Sequence, residues 1–433
     1  MVKILDSFAY WLKGFIKKPF KVGLITPQYA GVEASNKGVA IHVYYLTREL
    51  AKLGCEVHVF CMGQKKSIKK FYIGNGKLVV HQISENMAEE IRDKVAKKKI
   101  LRFAFDNEIV KEVLKENKER EFDIIHSHIT FIGGLISRYI NNIKWVHTIH
   151  SLEKHRLLFL TEQQKRYLEL ENWIESAVSY ADAVITVSKK LKEDILKNYK
   201  IKKDRVFTIP NGVDLSLFNE KDVKDRTRRI IYVGRFSKEK GIDVAIRIAE
   251  IVLKKDTKLK FTIIAPPDYG ELADALIKST EKLGILEKKY SGRLEWIKEP
   301  LTRDELARMY KDSKILIQPS RYESFGMTVL EAMACGDAVI SSNRGGLPEV
   351  VDKAGILVNL NIKAFVREIL RFLKNNRLRE KYGKKGVERA KNFDWEKVAR
   401  QTLDVYRILS KREENTKEEE IAVGEAMKKI GEI

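Results

Sequence analysis

Short apolar runs alternate with amphipathic helical segments along the chain from Lys21 onward. Between the first two apolar runs, hydrophobic positions at helical spacing predict a helix over Ile41–Leu53, with Gly54 as its C-terminal signal. The runs themselves predict buried strands at Val22–Thr26, Glu56–Phe60, Asp123–Ser127, Trp145–Ile149, Ala183–Thr186 and Arg205–Ile209. Strands that alternate with helices in this way favour a parallel sheet with right-handed crossovers.

A second alternation follows a charged, apolar-poor stretch, Asn219–Arg229, which we interpret as a linker. It predicts strands at Ile230–Val233, Phe261–Ile264, Leu294–Ile297, Ile315–Ile317, Ala338–Ser341 and Ile356–Val358. We therefore expect an α/β protein in which two Rossmann-like, doubly wound parallel-sheet domains face each other across a cleft. Such sheets bind ligands beyond the carboxyl ends of their strands, so the cleft is the expected site.

The pattern divides the chain into successive segments. We expect an amphipathic helix over 1–20, a first Rossmann-like domain over 21–215 and a linker over 216–228. A second Rossmann-like domain should cover 229–392, a helix over 393–410 should return to the first domain, and 411–433 is a charged tail.

The first eighteen residues predict a helix with one apolar face. That face carries Ile4, Leu5, Phe8, Trp11, Leu12, Phe15 and Ile16, and Lys13, Lys17 and Lys18 lie opposite. Two interpretations remain open: the helix lies on an anionic membrane, or it packs on the protein's own surface or on a second subunit.

Composition changes this picture in two respects. The formal net charge of +22 favours an anionic partner, which could be nucleic acid, a membrane surface or a charged substrate, although a charged, heat-adapted surface explains most of it. The three cysteines form no metal-binding spacing and fit a reducing compartment. Without a signal peptide or a bilayer-spanning run, we expect a cytoplasmic protein, with peripheral attachment to the inner face of the membrane as an option.

The strongest chemical signal is RYESFGMTVLE, at Arg321–Glu331. Its centre reads as a tight turn that feeds a helix, and a helix N-terminus offers unpaired N–H groups to a diphosphate. Glu323 would lie in the turn, and Glu331 on the helix could accept hydrogen bonds from sugar or ribose hydroxyls.

A second signal, VGRFSKEKG at Val233–Gly241, follows the first strand of the second domain. Arg235 and Lys240 are fixed cations there, and they could offset the charge of a departing diphosphate without a metal. The chain has neither a P-loop motif nor a dinucleotide fingerprint, which argues against an NTP hydrolase and a dinucleotide oxidoreductase.

These two segments resemble the retaining GT-B glycosyltransferases of the family-4 type, which are related to sucrose and glycogen synthases. The resemblance extends from Lys21 to about Leu409. Further matches, in the same order along the chain, are FDIIHSH, VHTIH, ADAVITVS, IPNGVD and GGLPEVV.

The resemblance implies a hexosyltransferase that binds acceptor in the first domain and nucleotide-sugar donor in the second, with no metal or other cofactor. Arg235 and Lys240 would then hold the donor diphosphate, and Glu331 the ribose. Glu323 would contact the donor sugar, helped by the backbone of Phe325, Gly326 and Met327. His150 would face the reacting sugar, and Gly38 would let the backbone approach the diphosphate and the acceptor.

Departures from the family pattern leave the nucleotide base, the sugar and the acceptor open; a lipid-linked acceptor is one option. The loop after the first strand has a single glycine, Gly38, and Lys298 stands where a glycine is common. Two other functions stay as alternatives: a nucleotide-sugar epimerase of the same fold, and a basic nucleic-acid-binding protein. The second lacks a basic–aromatic stacking platform, so we expect no specific nucleic-acid partner.

All eight histidines lie at or before His155. Only His150 receives a catalytic role, and it does so through the resemblance. As a metal site, the histidines of FDIIHSH and VHTIH are weak because no carboxylate or cysteine stands at matching spacing. We interpret His58 and His81 as structural or exposed residues.

Overall fold

The computed structural model describes residues 19–30, 38–63, 65–84, 108–129, 134–135, 138–139, 143–152, 154–155, 175–220, 227–266 and 273–410. The amphipathic helix predicted at Met1–Lys18, the charged tail predicted at 411–433 and residues 221–226 of the predicted linker lie outside the described residues. Within the described part of the chain, no helix is long and apolar enough to span a membrane.

The first half of the chain forms a sheet in the order β3-β4-β2-β1-β5-β6-β7-β8. Its strands are β1 (Lys21–Ile25), β2 (Glu56–Gly63), β3 (Ser67–Ile73), β4 (Gly76–Ser84), β5 (Ile124–His128), β6 (Lys144–Ile149), β7 (Ala183–Thr186) and β8 (Val206–Thr208). All neighbouring strands pair in parallel except β3 and β4, which are antiparallel. Helices α1 (Gly38–Lys52), α2 (108–120) and α3 (Lys189–Asn198) connect or flank these strands.

The strands predicted in this half are present because each is a short apolar run that parallel pairing buries on both faces. In β1, for example, Val22, Leu24 and Ile25 are fully buried. The helix expected at Ile41–Leu53 is α1, and Gly54 follows it with a φ of 91°, the left-handed conformation that its place after the helix requires.

The β3–β4 hairpin was not predicted. Nearly all of β3 is exposed at the sheet edge, so its side chains give no apolar alternation, and pairing with β4 holds it through the backbone. The available signal was the turn Gly74–Asn75, flanked by residues with high strand propensity, where Gly74 has a φ of 58°.

The second half forms a parallel sheet in the order β11-β10-β9-β12-β13-β14. The strands are β9 (Arg229–Val233), β10 (Lys260–Ile264), β11 (Leu294–Ile297), β12 (Ile315–Gln318), β13 (Ala338–Ser342) and β14 (Ile356–Val358), as predicted within one residue or two. The helices are α4 (Ile242–Lys255), α5 (Ala273–Lys289), α6 (Arg303–Asp312), α7 (Met327–Ala334), α8 (Leu347–Val351), α9 (Ile362–Lys374) and α10 (Asn376–Ala390).

The strand order reverses at β1 in the first sheet and at β9 in the second. β1 lies between β2 and β5, and β9 lies between β10 and β12. Chain connections diverge to the two sides at such a point and leave a crevice at the carboxyl ends of the strands. The two doubly wound sheets confirm the predicted fold class.

The last described helix, α11 (Trp395–Ser410), packs on α1 of the first domain. The indole of Trp395 stacks on Tyr45 of α1, with ring centroids 5.3 Å apart and planes 9° apart. Tyr45 in turn donates a 2.7 Å hydrogen bond to Asp214, which lies just before the segment predicted to be the linker. Through these contacts, helix α11 is connected to α1 and to the segment around Asp214, which precedes the predicted linker.

Candidate functional site

Two loops of the second domain meet at the carboxyl ends of neighbouring strands. One runs from β9 to α4 and the other from β12 to α7, and β9 and β12 are paired. Arg321 fastens them: its backbone N–H donates to the carbonyl of Glu239 at 2.8 Å, and its guanidinium binds both carboxylate oxygens of Asp243 at 2.7 Å. The two sequence segments that carried the chemical signals are therefore adjacent.

Lys240 is the centre of this site. Its Nζ lies 2.9 Å from Oε2 of Glu323 and 3.2 Å from Oε1 of Glu239, and its side chain is only 13% exposed. Burial disfavours the charged ammonium, but the two carboxylates outweigh burial and raise the pKa of Lys240. The lysine is thus a fixed cation at the base of the loop.

Arg235 lies at the mouth of the same loop. Its side chain is half exposed, and its guanidinium donates to Glu239 at 2.8 Å. Glu239 therefore pairs with both basic residues named from the sequence, although sequence reasoning did not single it out. The i,i+4 pairing rule holds on helices and this segment is a loop, so no local signal pointed to Glu239.

Two glycines set the position of the Glu323 backbone. Gly346 donates its N–H to the carbonyl of Glu323 at 2.7 Å. Gly345 has a φ of 57°, and a Cβ there would lie 2.0 Å from that same carbonyl oxygen. The GGLPEVV motif is therefore explained by close backbone contact with the Glu323 turn.

Helix α7 begins directly after this turn. Gly326 is its N-cap, with a left-handed φ of 111°, and as a glycine it offers no side chain to cap the first N–H groups of the helix. Phe325 is 4% exposed and packs edge-on against Phe393, which leaves only its backbone for the site. An uncapped helix N-terminus beside a buried ammonium is a strong binding position for an anion.

Glu331 lies one turn into α7, with a side chain only 4% exposed. Its Oε1 accepts a 2.6 Å hydrogen bond from Arg303, whose guanidinium lies 4.4 Å from the centre of the Phe218 ring. Arg303 was missed in the sequence because nothing in its local pattern distinguishes it from a surface arginine at a helix start. The pair fixes the Glu331 carboxylate, which any ribose contact would have to share with Arg303.

Gly38, in the first domain, faces the second domain across the cleft. Gly38 is the first residue of α1, and a Cβ there would lie 3.5 Å from Sδ of Met327. The first turns of α1 and α7 thus approach each other across the cleft. The predicted site residues of the first domain and those of the second domain approach each other at Gly38 and Met327.

His150 follows β6 and belongs to a cluster of buried imidazoles. Its Nε2 lies 3.0 Å from Nδ1 of His128, and its ring is 4.7 Å from the ring of His42. Burial, followed by the neighbouring imidazoles, lowers the pKa of His150 well below its usual value, so the ring is neutral at pH 7. His42 and His128 were not singled out for this site, and only the fold brings them to His150.

These three imidazoles also form a possible metal site. One nitrogen from each of His42, His128 and His150 falls within 4.8 Å of the others. Nδ1 of His42 is already engaged by Asn211 at 2.8 Å. No carboxylate of the described residues joins this group, although three imidazoles alone are a donor set that zinc accepts.

Comparison with known proteins assigns the chain to a family. Residues 36–217 match the profile of Glycosyltransferase Family 4, and residues 215–389 match that of Glycosyl transferases group 1. The chain is 31% identical over 293 residues to an uncharacterised glycosyltransferase of Methanocaldococcus jannaschii, covering 66% of this chain and 76% of that protein. This protein belongs to the group 1, family 4 glycosyltransferases.

Other members and structures agree with this assignment. The chain is 29% identical over 400 residues to α-maltose-1-phosphate synthase of Mycolicibacterium smegmatis, covering 86% of this glycosyltransferase and 96% of the relative. The fold matches sucrose-phosphate synthase from Thermosynechococcus elongatus with a TM-score of 0.71 at 23% identity, covering 90% of this chain and 99% of that one. It also matches Anabaena HepE, solved in complex with UDP-glucose, with a TM-score of 0.63 at 15% identity and coverage of 90% and 99%. The resemblance inferred from the sequence and its GT-B fold are thus confirmed.

Proposed function

We propose that this glycosyltransferase moves a hexose from a nucleotide-diphosphate sugar to an acceptor hydroxyl, with retention of configuration and without a divalent metal. The observation that carries the proposal is the buried ammonium of Lys240, held 2.9 Å from Glu323 beside the uncapped N-terminus of α7. A fixed cation and a helix N-terminus at one point match the charge of a departing diphosphate.

In the proposed reaction, the bond between the anomeric carbon and the β-phosphate oxygen breaks, and the acceptor oxygen bonds to the same face of the sugar. The acceptor proton passes to the departing phosphate oxygen, so atoms and charge balance. Lys240 and the N–H groups of α7 stabilise the charge on the diphosphate. Glu323 and His150 hold the sugar through its hydroxyls, and Glu331 holds the ribose.

We propose a UDP-hexose as the first donor to test. HepE binds UDP-glucose with the same fold, although at 15% identity it supports this choice only as a hypothesis. A thermal-shift screen of UDP, ADP and GDP and their glucose conjugates tests donor binding, because a ligand of the folded state raises the melting temperature. A chain stabilised by none of these nucleotides would count against the proposed donor site.

The same screen must be followed by chemistry, because an epimerase of this fold would also bind a nucleotide sugar. Incubation with the stabilising donor alone separates the two functions. A glycosyltransferase leaves the sugar unchanged until an acceptor is supplied, whereas an epimerase converts it. Conversion of the sugar without acceptor would replace transfer by epimerisation as the function of this site.

We further propose a cytoplasmic protein that associates peripherally with the inner membrane face, where a lipid-linked acceptor would be found. The apolar face predicted for Met1–Lys18, opposed by lysines, supports this association. Co-sedimentation with anionic liposomes tests it by comparing the full chain with a chain that starts at Pro19. Equal sedimentation of the two would remove the membrane role of the segment.

A further inference from the structure

A second group of imidazoles and carboxylates lies on β2, β4 and α2, elements that contribute no residue to the candidate active site. Nδ1 of His58 is 2.9 Å from Nε2 of His81, and 3.7 Å from Oε2 of Glu116. His58 is fully buried and His81 is 3% exposed, whereas the Glu116 side chain retains 12% exposure at the edge of the group.

The strand register explains how these residues meet. β2 and β4 pair in parallel with Phe60 opposite His81, and His58 lies two residues before Phe60, on the same face. The Phe60 ring stacks on His81 with centroids 4.6 Å apart. Two polar rings therefore interrupt a face that is otherwise apolar and that packs against α2, the helix carrying Glu116.

Hydrogen bonding fixes how the His58 ring presents its lone pair. Nε2 of His58 donates to Oε1 of Glu56 at 3.1 Å, and Glu56 is itself held by Lys77 at 3.1 Å and by Arg120 at 3.3 Å. Because Nε2 carries the proton, Nδ1 faces His81 and Glu116 as an acceptor. A carboxylate behind an imidazole in this way is the usual support of a metal-binding histidine.

Without a metal, the facing atoms of this group are paired within the protein. His81 Nε2 lies 2.9 Å from His58 Nδ1, and Glu116 Oε2 accepts a hydrogen bond from Arg120 at 3.1 Å, so a bound ion would replace the first contact and share the second oxygen with Arg120.

The spacing of the three facing atoms matches a coordination shell. Zinc binds imidazole nitrogen at about 2.0–2.1 Å, which places neighbouring ligands of a tetrahedral ion about 3.3 Å apart. The two separations from His58 Nδ1, 2.9 Å and 3.7 Å, bracket that value, and the ligand atoms of the three residues all lie within 4.8 Å of one another. Two imidazoles and a carboxylate are a donor set typical of zinc, with water in the fourth position.

We propose that His58 Nδ1, His81 Nε2 and the Glu116 carboxylate bind one divalent transition-metal ion, zinc by ligand type, which ties β2 and β4 to α2. The proposed role of the ion is to hold these elements together, and the site neither rests on the proposed transfer reaction nor supplies it with a metal. Bound zinc stabilises the first domain by joining residues that are 58 positions apart in sequence, from His58 to Glu116.

The full chain, freed of metal with EDTA and dialysed, is titrated with ZnCl2 by calorimetry, and its melting temperature is measured with and without zinc. We expect tight zinc binding at this site and a rise in melting temperature. Glu116→Gln should weaken zinc binding at least about tenfold, and His81→Phe, which keeps the stacking on Phe60, should abolish both the binding and the rise.

His150→Asn is the matched control, because it breaks the other imidazole cluster and should leave this binding unchanged. Cobalt binding gives a second readout through its visible absorption, which reports imidazole ligation and coordination number in each variant. Melting of the variants in EDTA shows whether they are folded. Absence of zinc binding by the folded original chain would overturn the proposal. Two other results would do the same: zinc binding by Glu116→Gln and His81→Phe as tight as that of the original chain, or a loss of zinc binding in His150→Asn alone.

Discussion

The Nζ of Lys240 lies 2.9 Å from Oε2 of Glu323, and this ion pair joins the two loops that carry the chemistry of the second domain. The carboxylate helps to raise the pKa of the ammonium despite burial, and the ammonium in turn holds the carboxylate in place. A bound diphosphate could attract the Lys240 ammonium in place of Glu323. The Glu323 carboxylate would then be free to accept a hydrogen bond from a sugar hydroxyl. Under the proposed function, the pair would therefore link donor binding to the position of the sugar.

Replacing Lys240 should nearly silence transfer. Removal of one fixed donor at a developing charge typically costs about 3 kcal/mol, so we expect Lys240→Ala to lower kcat roughly a hundredfold. Lys238→Ala is the matched control, because Lys238 lies in the same loop with an exposed side chain and should change the rate less than about twofold. Steady-state kinetics of both variants checks the prediction, and equal losses would show that general loop charge, not the buried ammonium, is responsible.

The two glutamates of the motif should have separable effects. Glu323→Gln should mainly lower kcat, because the residue is placed for the reacting sugar, whereas Glu331→Gln should raise KM for the donor about tenfold, because ribose contacts are the same in the ground and transition states. Both substitutions keep the side-chain shape. Kinetics at varied donor concentration separates the parameters, and the reverse pattern would show that the assigned roles are exchanged.

Arg303 gives this comparison an internal check. Its guanidinium is bonded to Glu331 at 2.6 Å, so loss of the carboxylate leaves a largely buried cation without its partner. We expect Glu331→Gln to lower the melting temperature and Glu323→Gln to change it less. A KM effect of Glu331→Gln that disappears in the background of Arg303→Met would mean that the ion pair, not the ribose, accounts for it.

The sequence predicts strands well here because buried parallel strands are continuous apolar runs. It predicts poorly which side chains contact the site residues. Partners such as Glu239, Arg303 and His42 depend on which elements the topology brings together. The edge strand β3 shows the same limit: its stability comes from backbone pairing, which leaves no side-chain periodicity. Roles for the site residues came from the family resemblance and remain predictions.

Stability should fall steeply on mild acidification. Burial lowers the pKa of His42 to about 4, and lowers the pKa of His126, His128 and His150 well below the usual value. In the unfolded chain these rings take up protons below about pH 6.5, whereas the folded chain does not, so folding loses stability as pH falls through that value. Each such ring contributes a slope of at most about 1.4 kcal/mol per pH unit, which is approached about one pH unit below the unfolded pKa.

Denaturant unfolding between pH 6.5 and pH 5 with EDTA present measures this slope while most carboxylates stay ionised. His42→Gln should reduce it by about one proton, because a glutamine amide can donate to Asn211 but does not titrate. A slope that is unchanged in His42→Gln, or stability that does not fall below pH 6.5, would contradict the assignment of neutral buried imidazoles.

Transfer is expected to continue in excess EDTA. In the proposed reaction, Lys240 and the N-terminus of α7 would supply the positive charge that a metal ion would otherwise place beside the departing diphosphate. The measurement is the initial rate with saturating donor, in EDTA and then in excess magnesium or manganese.

The zinc site proposed on β2, β4 and α2 requires a control, since a chelator could act through stability alone. Glu116→Gln supplies this control. If EDTA lowers the rate through the zinc site, the variant should already be slow without EDTA, and zinc alone should restore the rate of the original chain after EDTA treatment. A loss that magnesium or manganese reverses in both chains would mean that the diphosphate needs a metal, and Lys240 would then have to be reassigned to a supporting role.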